Sequence, residues 1–156
     1  MSESSASIVP NRHVFRAYDI RGQVARDFSD PFIRALGQAI GTLAIRRGHK
    51  RTIAIGRDAR LTSDHIRDLL IEGLQASGCD TIDVGLVPTP LLYFAVHNLD
   101  VGGGVMVTGS HNPPEDNGFK MMLGHGTLHG ADVQELLRLI EQADLETGTG
   151  TGSEHP

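Results

Sequence analysis

Hydrophobic positions along this chain alternate between two spacings, one typical of helices and one typical of buried strands. From residue 30 to residue 47, apolar side chains recur every three or four positions, which predicts an amphipathic helix. Asp30 and Pro31 form a favourable N-cap and first turn, and Gly48 forms a favourable end. Further helices are predicted over residues 61–78, 88–99 and 131–145.

Short apolar runs rich in β-branched residues separate these helices, and each predicts a strand. The runs are RTIAIG (51–56), CDTIDVGLV (79–87), GGGVMVTG (102–109) and GFKMML (118–123). The last run is predicted to return after a turn at Asn117-Gly118. Alternating strands and helices predict an α/β fold, a three-layer α/β/α sandwich around a mixed, mostly parallel sheet.

The length and composition predict one folded domain with flexible ends. Of the 156 residues, 39% are hydrophobic and 21% are charged, which is enough apolar material for a core. We divide the chain into a flexible arm (1–13), a folded body (14–145) and a linker-like tail rich in Gly and Thr (146–156). The net charge of -5 argues against a nucleic acid or an anionic membrane as the general partner.

Cys79 is the only cysteine, so the chain has no intramolecular disulfide and no cysteine-clustered zinc site. We expect it to be a small buried hydrophobe rather than a reactive thiol. The N-terminus is polar, unlike a leader peptide, and no apolar run is long enough to cross a bilayer. These features predict a cytoplasmic location.

Three glycine-rich or polar segments follow predicted strands, where α/β sheets place their functional loops. They are GRDARLTS (56–63), GLVPTP (85–90) and TGSHNPP (108–114). Ser110 lies in the third segment. Gly109 removes side-chain bulk beside it and Pro113-Pro114 stiffen the following chain, so the loop is suited to present one hydroxyl. The alternative, weighted equally, is a turn serine that satisfies a local backbone group.

Other features of the chain favour specific chemistry less strongly. A hydrolase nucleophile is disfavoured, because Thr108 and Asn112 stand where a nucleophile elbow has glycine. Glu115 and Asp116 have the oxygen ligands of a metal site, but adjacent carboxylates before a turn are usually solvated. Surface or capping roles are favoured for three histidines, which are His97, His125 and His129.

Phosphoryl transfer suits the third segment better. A phosphoserine concentrates a charge of about -2 at one point, so nearby cations must neutralise it. Five basic residues lie on segments predicted to converge there: Lys120, Arg16, Arg21, Arg57 and Arg60.

Four motifs in this order resemble the α-D-phosphohexomutase family, and within it the bacterial phosphomannomutase/phosphoglucomutase group. They are FRAYDIRG, GRDARLTS, GLVPTPLLYFA and GVMVTGSHNPPEDNGFK, and the resemblance covers residues 15–145. It implies that residues 14–145 are the first, phosphoserine-carrying domain of an isomerase of carbohydrate metabolism, which interconverts hexose 1-phosphate and hexose 6-phosphate through a hexose 1,6-bisphosphate. That bisphosphate is also the expected activator.

The resemblance implies roles for particular residues. Ser110 carries the phosphoryl group and binds Mg²⁺ through it. Lys120 is the general base or acid. His111 and Asn112 shape the catalytic loop. The remaining residues implied in binding substrate or phosphate are Tyr18, Arg21, Arg16 and Arg57.

The resemblance also predicts what this chain lacks. Members of the family have four domains, and domains 2–4 carry the other Mg²⁺ ligands, the sugar-recognition loop and a phosphate-binding loop. We therefore expect a fragment that is inactive alone and that self-associates through faces left uncovered. Mannose, glucose or glucosamine preference is left open. The alternative hypothesis is a non-catalytic module that binds a phosphosugar or a protein partner.

Overall fold

Helices and strands alternate along most of the chain in the computed structural model, which describes residues 9–154. A short 3-10 helix, Arg12–Val14, precedes the first strand. The α-helices are α1 (Val24–Asp27), α2 (Asp30–Arg46), α3 (Ser63–Ala76), α4 (Thr89–Asn98) and α5 (Ala131–Glu141). The strands are β1 (Ile20–Gln23), β2 (Thr52–Arg57), β3 (Asp80–Leu86), β4 (Gly103–Val107), β5 (Asp116–Leu123), β6 (Gly126–Thr127) and β7 (Gly152–Glu154).

One sheet contains all seven strands found in residues 9–154. Their order is β1-β5-β4-β2-β3-β7, and β6 pairs with β5. The four neighbouring strands β4, β2, β3 and β7 run parallel, whereas β5 is antiparallel to both β4 and β1. The prediction of a mixed, mostly parallel sheet is thus confirmed. The carboxyl ends of the parallel strands meet at one edge of this sheet, which is where such folds build their sites.

Helices cover both faces of the sheet, which confirms the α/β/α sandwich. Helices α2, α3 and α5 pack on one face around a large core that includes Leu36, Ile55, Leu70 and Phe119. Among the described residues, helix α4 alone covers the other face, through a smaller cluster of Ala54, Leu92, Val96, Met106 and Met122. Burial of apolar area contributes about 25 cal/mol per Å², so the three-helix face supplies most of the stabilisation.

Asp30 was wrong as the N-cap of α2, whereas Thr62 occupies the predicted N-cap position of α3. The hydroxyl of Ser29 caps α2 by accepting a hydrogen bond from the backbone N–H of Phe32 (3.2 Å), so Asp30 is the first helical residue. Thr62 precedes α3 without a capping bond from its side chain, and its hydroxyl accepts from the Asn117 amide instead. Ser63 donates its hydroxyl proton to Asp58. The two hydroxyls at the start of α3 therefore bind Asn117 of β5 and Asp58 of the connection that follows β2.

The predicted turn at Asn117-Gly118 was also wrong. Both residues lie inside β5, opposite Gly22 and Arg21 of β1. The buried amide of Asn117 donates to the hydroxyls of Thr62 and Ser63, which a turn position would not permit. The chain instead reverses earlier, where the N–H of Asp116 donates to the carbonyl of Pro113 (3.0 Å).

The tail predicted as linker-like pairs with the sheet over its described residues. The backbone N–H groups of Gly148 and Gly150 donate to the carbonyls of Ala76 and Gln75, and residues 152–154 extend the sheet as β7. A Cβ at residue 150 would lie 1.8 Å from the carbonyl oxygen of Cys79, so the glycine allows this close approach. The composition predicts a flexible tail and does not anticipate this packing.

At the other end, residues 1–8 of the predicted arm lie outside the described residues. Within residues 9–154 no helix combines the length and apolar character needed to cross a membrane. Cys79 is fully buried and donates to the carbonyl of Gly41, and burial raises the pKa of its thiol. The prediction of a small buried hydrophobe at this position is confirmed.

Candidate active site

The connection between β4 and β5, residues 108–115, forms the serine loop. It lies at the carboxyl edge of the parallel strands, beside the connection from β2 to α3. Ser110 is a non-glycine residue with a positive φ of 53°, a backbone conformation that costs L-residues about 1–2 kcal/mol. Its N–H donates to the hydroxyl of Thr108 (3.0 Å), and the residue is partly exposed. The loop therefore presents this hydroxyl in a strained conformation.

Arg21 binds the hydroxyl of Ser110. Its Nη2 donates to Ser110 Oγ at 3.2 Å and its Nη1 donates to Asn112 Oδ1 at 3.2 Å. Its Nε donates to Asp19 Oδ2 at 2.5 Å, which fixes the plane of the guanidinium. Because β1 pairs with β5, Arg21 lies beside the serine loop. The structure therefore places Arg21, Ser110 and Asn112 in contact with one another.

Asp58 ties the serine loop to the connection that follows β2. Its Oδ2 accepts from Thr108 Oγ1 (2.9 Å) and from the N–H of Gly109 (3.0 Å). Its Oδ1 accepts from Ser63 Oγ (2.6 Å) and from the N–H of Arg60 (3.2 Å). Partial burial by itself raises the pKa of Asp58, but these hydrogen bonds outweigh it and hold the pKa below its usual value. Asp58 is therefore an ionised structural anchor.

Arg60 contacts the same loop from within. Its guanidinium donates to the carbonyl oxygens of Ser110 and Asn112 through Nη2, and to those of Pro113 and Asp116 through Nη1. Its side chain is only 15% exposed. Arg60 therefore binds the backbone of the loop, whereas Arg21 binds the side chains of Ser110 and Asn112.

Lys120 lies on β5 opposite Met106 of β4 and is half-buried. Its neighbours Phe119 and Met121 face the three-helix core, so Lys120 faces the α4 side of the sheet. Arg21 pairs with Gly118 and faces that same side, one diagonal position from Lys120, a separation of about 7–8 Å between backbones. Within residues 9–154 no hydrogen bond or ion pair joins Lys120 to Ser110.

Four other predicted residues lie outside this contact set. His111 and Arg16 are exposed. Tyr18 is 67% exposed and its ring stacks on His129, with 6.0 Å between ring centroids. Arg57 binds Asp64 (2.5 Å) and lies 3.7 Å from Asp83, in a cluster separate from the serine loop. The structure thus does not bring these four side chains into contact with Ser110.

The described residues do not form a cage for Mg²⁺. No group of three or more His, Cys, Asp or Glu side chains converges anywhere in residues 9–154. Close to Ser110, Asp19 is bound to Arg21, and both oxygens of Asp58 are occupied by donors. Mg²⁺ needs several free oxygen ligands in near-octahedral geometry. A metal ion at this site would require oxygen atoms from elsewhere.

Sequence analysis missed Asp58, Thr108 and Asn117 as site residues, and it treated Arg60 only as a candidate cation. The signal for Asp58 was its position directly after β2, where polar residues reach the loops of the sheet edge. No sequence signal distinguishes Asn117, because an Asn-Gly pair predicts a turn. These residues hold the loop, and their importance emerges only from long-range contacts.

Comparisons with known proteins agree with this architecture. The family described as phosphoglucomutase/phosphomannomutase, alpha/beta/alpha domain I, matches residues 12–147. The phosphoglucomutase of Neisseria gonorrhoeae is 46% identical over 142 residues, which is 91% of this chain and 31% of that protein. The phosphomannomutase/phosphoglucomutase of Pseudomonas aeruginosa is 44% identical over 151 residues, 97% of this chain and 32% of that protein.

A solved structure shows the same fold. The crystal structure of a phosphoglucomutase/phosphomannomutase family protein from Burkholderia thailandensis superimposes with a TM-score of 0.90 at 36% identity, covering 94% of this chain and 34% of that one. This chain thus spans about a third of the length of the curated relatives it matches.

Proposed function

This chain belongs to the phosphoglucomutase/phosphomannomutase family, and from that premise we propose that it is the phosphoryl-carrying first domain of a phosphohexomutase. The whole enzyme interconverts the 1-phosphate and 6-phosphate of mannose, of glucose or of both. Ser110 carries the phosphoryl group, and a hexose 1,6-bisphosphate is the intermediate. The observation that supports this most directly is the contact of 3.2 Å between Arg21 and the partly exposed Ser110 hydroxyl on its strained loop.

Each transfer exchanges one oxygen for another on phosphorus. A hydroxyl of the hexose phosphate attacks the phosphorus of phosphorylated Ser110. A bond forms between that oxygen and phosphorus, and the bond from phosphorus to Ser110 Oγ breaks. Lys120 accepts the proton of the hexose hydroxyl and passes it to the departing Ser110 Oγ. The reverse transfer, from the other end of the bisphosphate, returns a phosphoryl group to Ser110.

Charge and position are the main demands of this chemistry. The planar fork of Arg21 suits a phosphoryl group, because it offers parallel N–H donors and a permanent positive charge. Lys120 lies on the same side of the sheet as Arg21, which supports its role in proton transfer. His111 and Asn112 shape the loop around the reacting group. Tyr18, Arg16 and Arg57 contact the substrate once further domains close the site. Bound Mg²⁺ would supply additional positive charge, with its remaining ligands from outside this chain.

The chain alone is expected to lack turnover. It spans 31% of the length of its gonococcal relative, and the serine loop lies on an open surface. Reorienting a bisphosphate intermediate requires an enclosed site that holds it while it turns. A single transfer to Ser110 needs less enclosure.

Phosphoryl uptake tests the proposal. The chain is incubated with glucose 1,6-bisphosphate and Mg²⁺, and intact mass with peptide mapping follows the label. We expect one added phosphoryl group, located on Ser110 and absent from the Ser110→Ala variant. A coupled assay with glucose 1-phosphate is expected to show no turnover. The proposal fails if the chain takes up no phosphoryl group, or if the group resides on another residue.

The second candidate function, a partner-binding module, has its own supporting observation. Leu86, Leu91 and Phe94 are each at least 50% exposed on or beside α4, the single helix that covers its face. Exposed apolar side chains on one surface favour association. Light scattering at high concentration is expected to show self-association that the Phe94→Ser variant weakens. A monomer at every concentration would refute self-association.

A further inference from the structure

We propose that Arg60 is a positioning residue, which holds the serine loop in the conformation that presents Ser110 without itself touching the phosphoryl group. The inference deepens the proposed function and rests on it for its activity readout. Its structural basis is independent of that function, because it consists of contacts between Arg60 and the loop backbone.

The guanidinium of Arg60 uses its donors on the protein backbone. Nη2 lies 2.9 Å from the carbonyl oxygen of Ser110 and 2.7 Å from that of Asn112. Nη1 lies 2.5 Å from the carbonyl oxygen of Pro113 and 3.2 Å from that of Asp116. Nε lies 3.4 Å from Asp58 Oδ2. Of the five N–H donors of an arginine, the four on Nη1 and Nη2 thus bind backbone carbonyls, and Nε faces the carboxylate of Asp58.

Gly109 shows how closely Arg60 and the loop fit. A Cβ at residue 109 would lie 2.2 Å from Cζ of Arg60 and 2.3 Å from its Nε. The backbone at Gly109 has no positive φ, so backbone freedom does not explain the glycine. The space that a side chain would fill is occupied by the guanidinium. Arg60 is therefore the reason that a glycine precedes Ser110.

The strained backbone of Ser110 needs such a support. A serine at φ 53° persists only where surrounding contacts hold it. Arg60 binds the carbonyl of Ser110 itself and those of two residues that follow, so the loop carbonyls turn inward toward the guanidinium. The hydroxyl of Ser110 is left outward, toward Arg21. Without the fork, we expect the loop to relax and the hydroxyl to leave its position.

Substituting Arg60 by alanine and by lysine separates the effect of its hydrogen-bonding geometry from the effect of its charge. Arg60→Lys keeps a positive charge, but one ammonium group does not span four carbonyls. We expect both Arg60→Ala and Arg60→Lys to slow phosphoryl uptake at Ser110 by about 100-fold, since a misplacement of about 1 Å costs that much. Arg34→Ala is the matched control, because it removes a comparable arginine that pairs with Glu72 on an exposed helix surface. Its uptake rate is expected to equal that of the wild type.

Chemical rescue distinguishes positioning from a general loss of structure. Guanidinium ion at low concentration is expected to restore part of the uptake rate in Arg60→Ala, and ammonium ion is not. Phosphoryl uptake at the wild-type rate in Arg60→Lys, or in Arg60→Ala, would overturn the proposal. Equal rescue by both ions would also overturn it, because charge alone would then suffice.

A second measurement does not depend on activity. Hydrogen exchange is expected to accelerate in residues 109–116 of both Arg60 variants, with the helices unchanged. If the wild type takes up no phosphoryl group but this local acceleration occurs, the proposed function fails and the role of Arg60 stands. If exchange in the loop is unchanged, the role of Arg60 fails whatever the activity. Should Arg60→Ala not fold, Arg60→Lys carries both measurements.

Discussion

Arg57 and Arg60 lie three residues apart near the end of β2, yet they belong to two different groups of contacts. Arg60 is 15% exposed and joins Asp58 and the serine loop through backbone carbonyls. Arg57 joins Asp64, whose side chain is 70% exposed, and approaches Asp83, which also binds Arg67. We call the residues Arg57, Asp64, Arg67 and Asp83 the β3 cluster.

The difference lies in what each arginine binds. In the serine loop, the partners of Asp58 and Arg60 are mostly backbone groups, whose positions define the chain path. In the β3 cluster the partners are charged side chains, and one of them, Asp64, is exposed to solvent that screens its ion pair with Arg57. Similar residue types thus hold the backbone in one region and bind other side chains in the other.

The largest expected effect lies on the serine side, at Gly118. A Cβ there would lie 2.3 Å from the carbonyl oxygen of Ile20 and 3.2 Å from Cγ of Arg21. Gly118→Ala is expected to lower the free energy of unfolding by about 3 kcal/mol, since the backbone of β1 must shift. Urea denaturation measures it, and Gly126→Ala is the control, because its Cβ would meet no atom closer than 4.0 Å. Equal effects of the two variants would contradict the pairing of β1 with β5.

Asp58→Asn tests the anchor of the serine loop. The substitution replaces one acceptor oxygen of Asp58 with an amide donor. In one orientation this donor faces the hydroxyl of Ser63 and the N–H of Arg60. In the other it faces the donors of Thr108 and Gly109. The expected loss is about 2 kcal/mol of unfolding free energy.

The matched variant on the other side is Asp64→Asn, which removes an exposed ion pair. We expect it to change the unfolding free energy by less than about 0.5 kcal/mol. Thermal or urea denaturation of both variants measures the two effects. A larger effect of Asp64→Asn would contradict the contrast between the two regions.

Arg57→Ala sharpens the contrast with Arg60. It is expected to lower the free energy of unfolding by at most about 1 kcal/mol, because Asp64 is exposed and Asp83 keeps its ion pair with Arg67. The loss is expected to shrink in high salt. Hydrogen exchange in residues 109–116 should stay at the wild-type rate. Accelerated exchange there would show that the two regions are coupled.

The smallest expected effect is the dependence of the unfolding free energy on pH that Asp58 causes. Because the folded pKa of Asp58 lies below its unfolded value, the carboxylate stabilises the fold above the unfolded pKa, near pH 4, and this contribution disappears as the pH falls through the folded value. The stability difference between wild type and Asp58→Asn is therefore expected to be constant near pH 7 and to narrow below about pH 4. A difference that widens in acid would mean that Asp58 is protonated in the native state.

Much of the fold was predictable because it depends on local patterns. The period of apolar residues in α2 and α3 and the β-branched runs of β2 and β4 identify those elements directly. Strands β1, β6 and β7 were missed, since they are short and lack such runs. Residues 152–154 pair with β3 only because glycines at 148 and 150 allow the backbone to approach.

The site was predictable only in part. Ser110, Arg21 and Asn112 belong to recognisable motifs, and the structure brings these three into contact. The partners of Arg57 and Arg60 were not predictable, because motif position treats both as cations near a phosphate. Which arginine turns toward the serine loop depends on where β4 and β5 lie relative to β2, and that is tertiary information.

The burial of Cys79 has a practical consequence. It is the sole cysteine of the chain, and its fully buried thiol has a raised pKa, so maleimide reagents should leave the native protein unmodified. A cysteine introduced at exposed Glu115 would then be the single reactive thiol. A fluorophore or spin label attached there would report the environment of the serine loop.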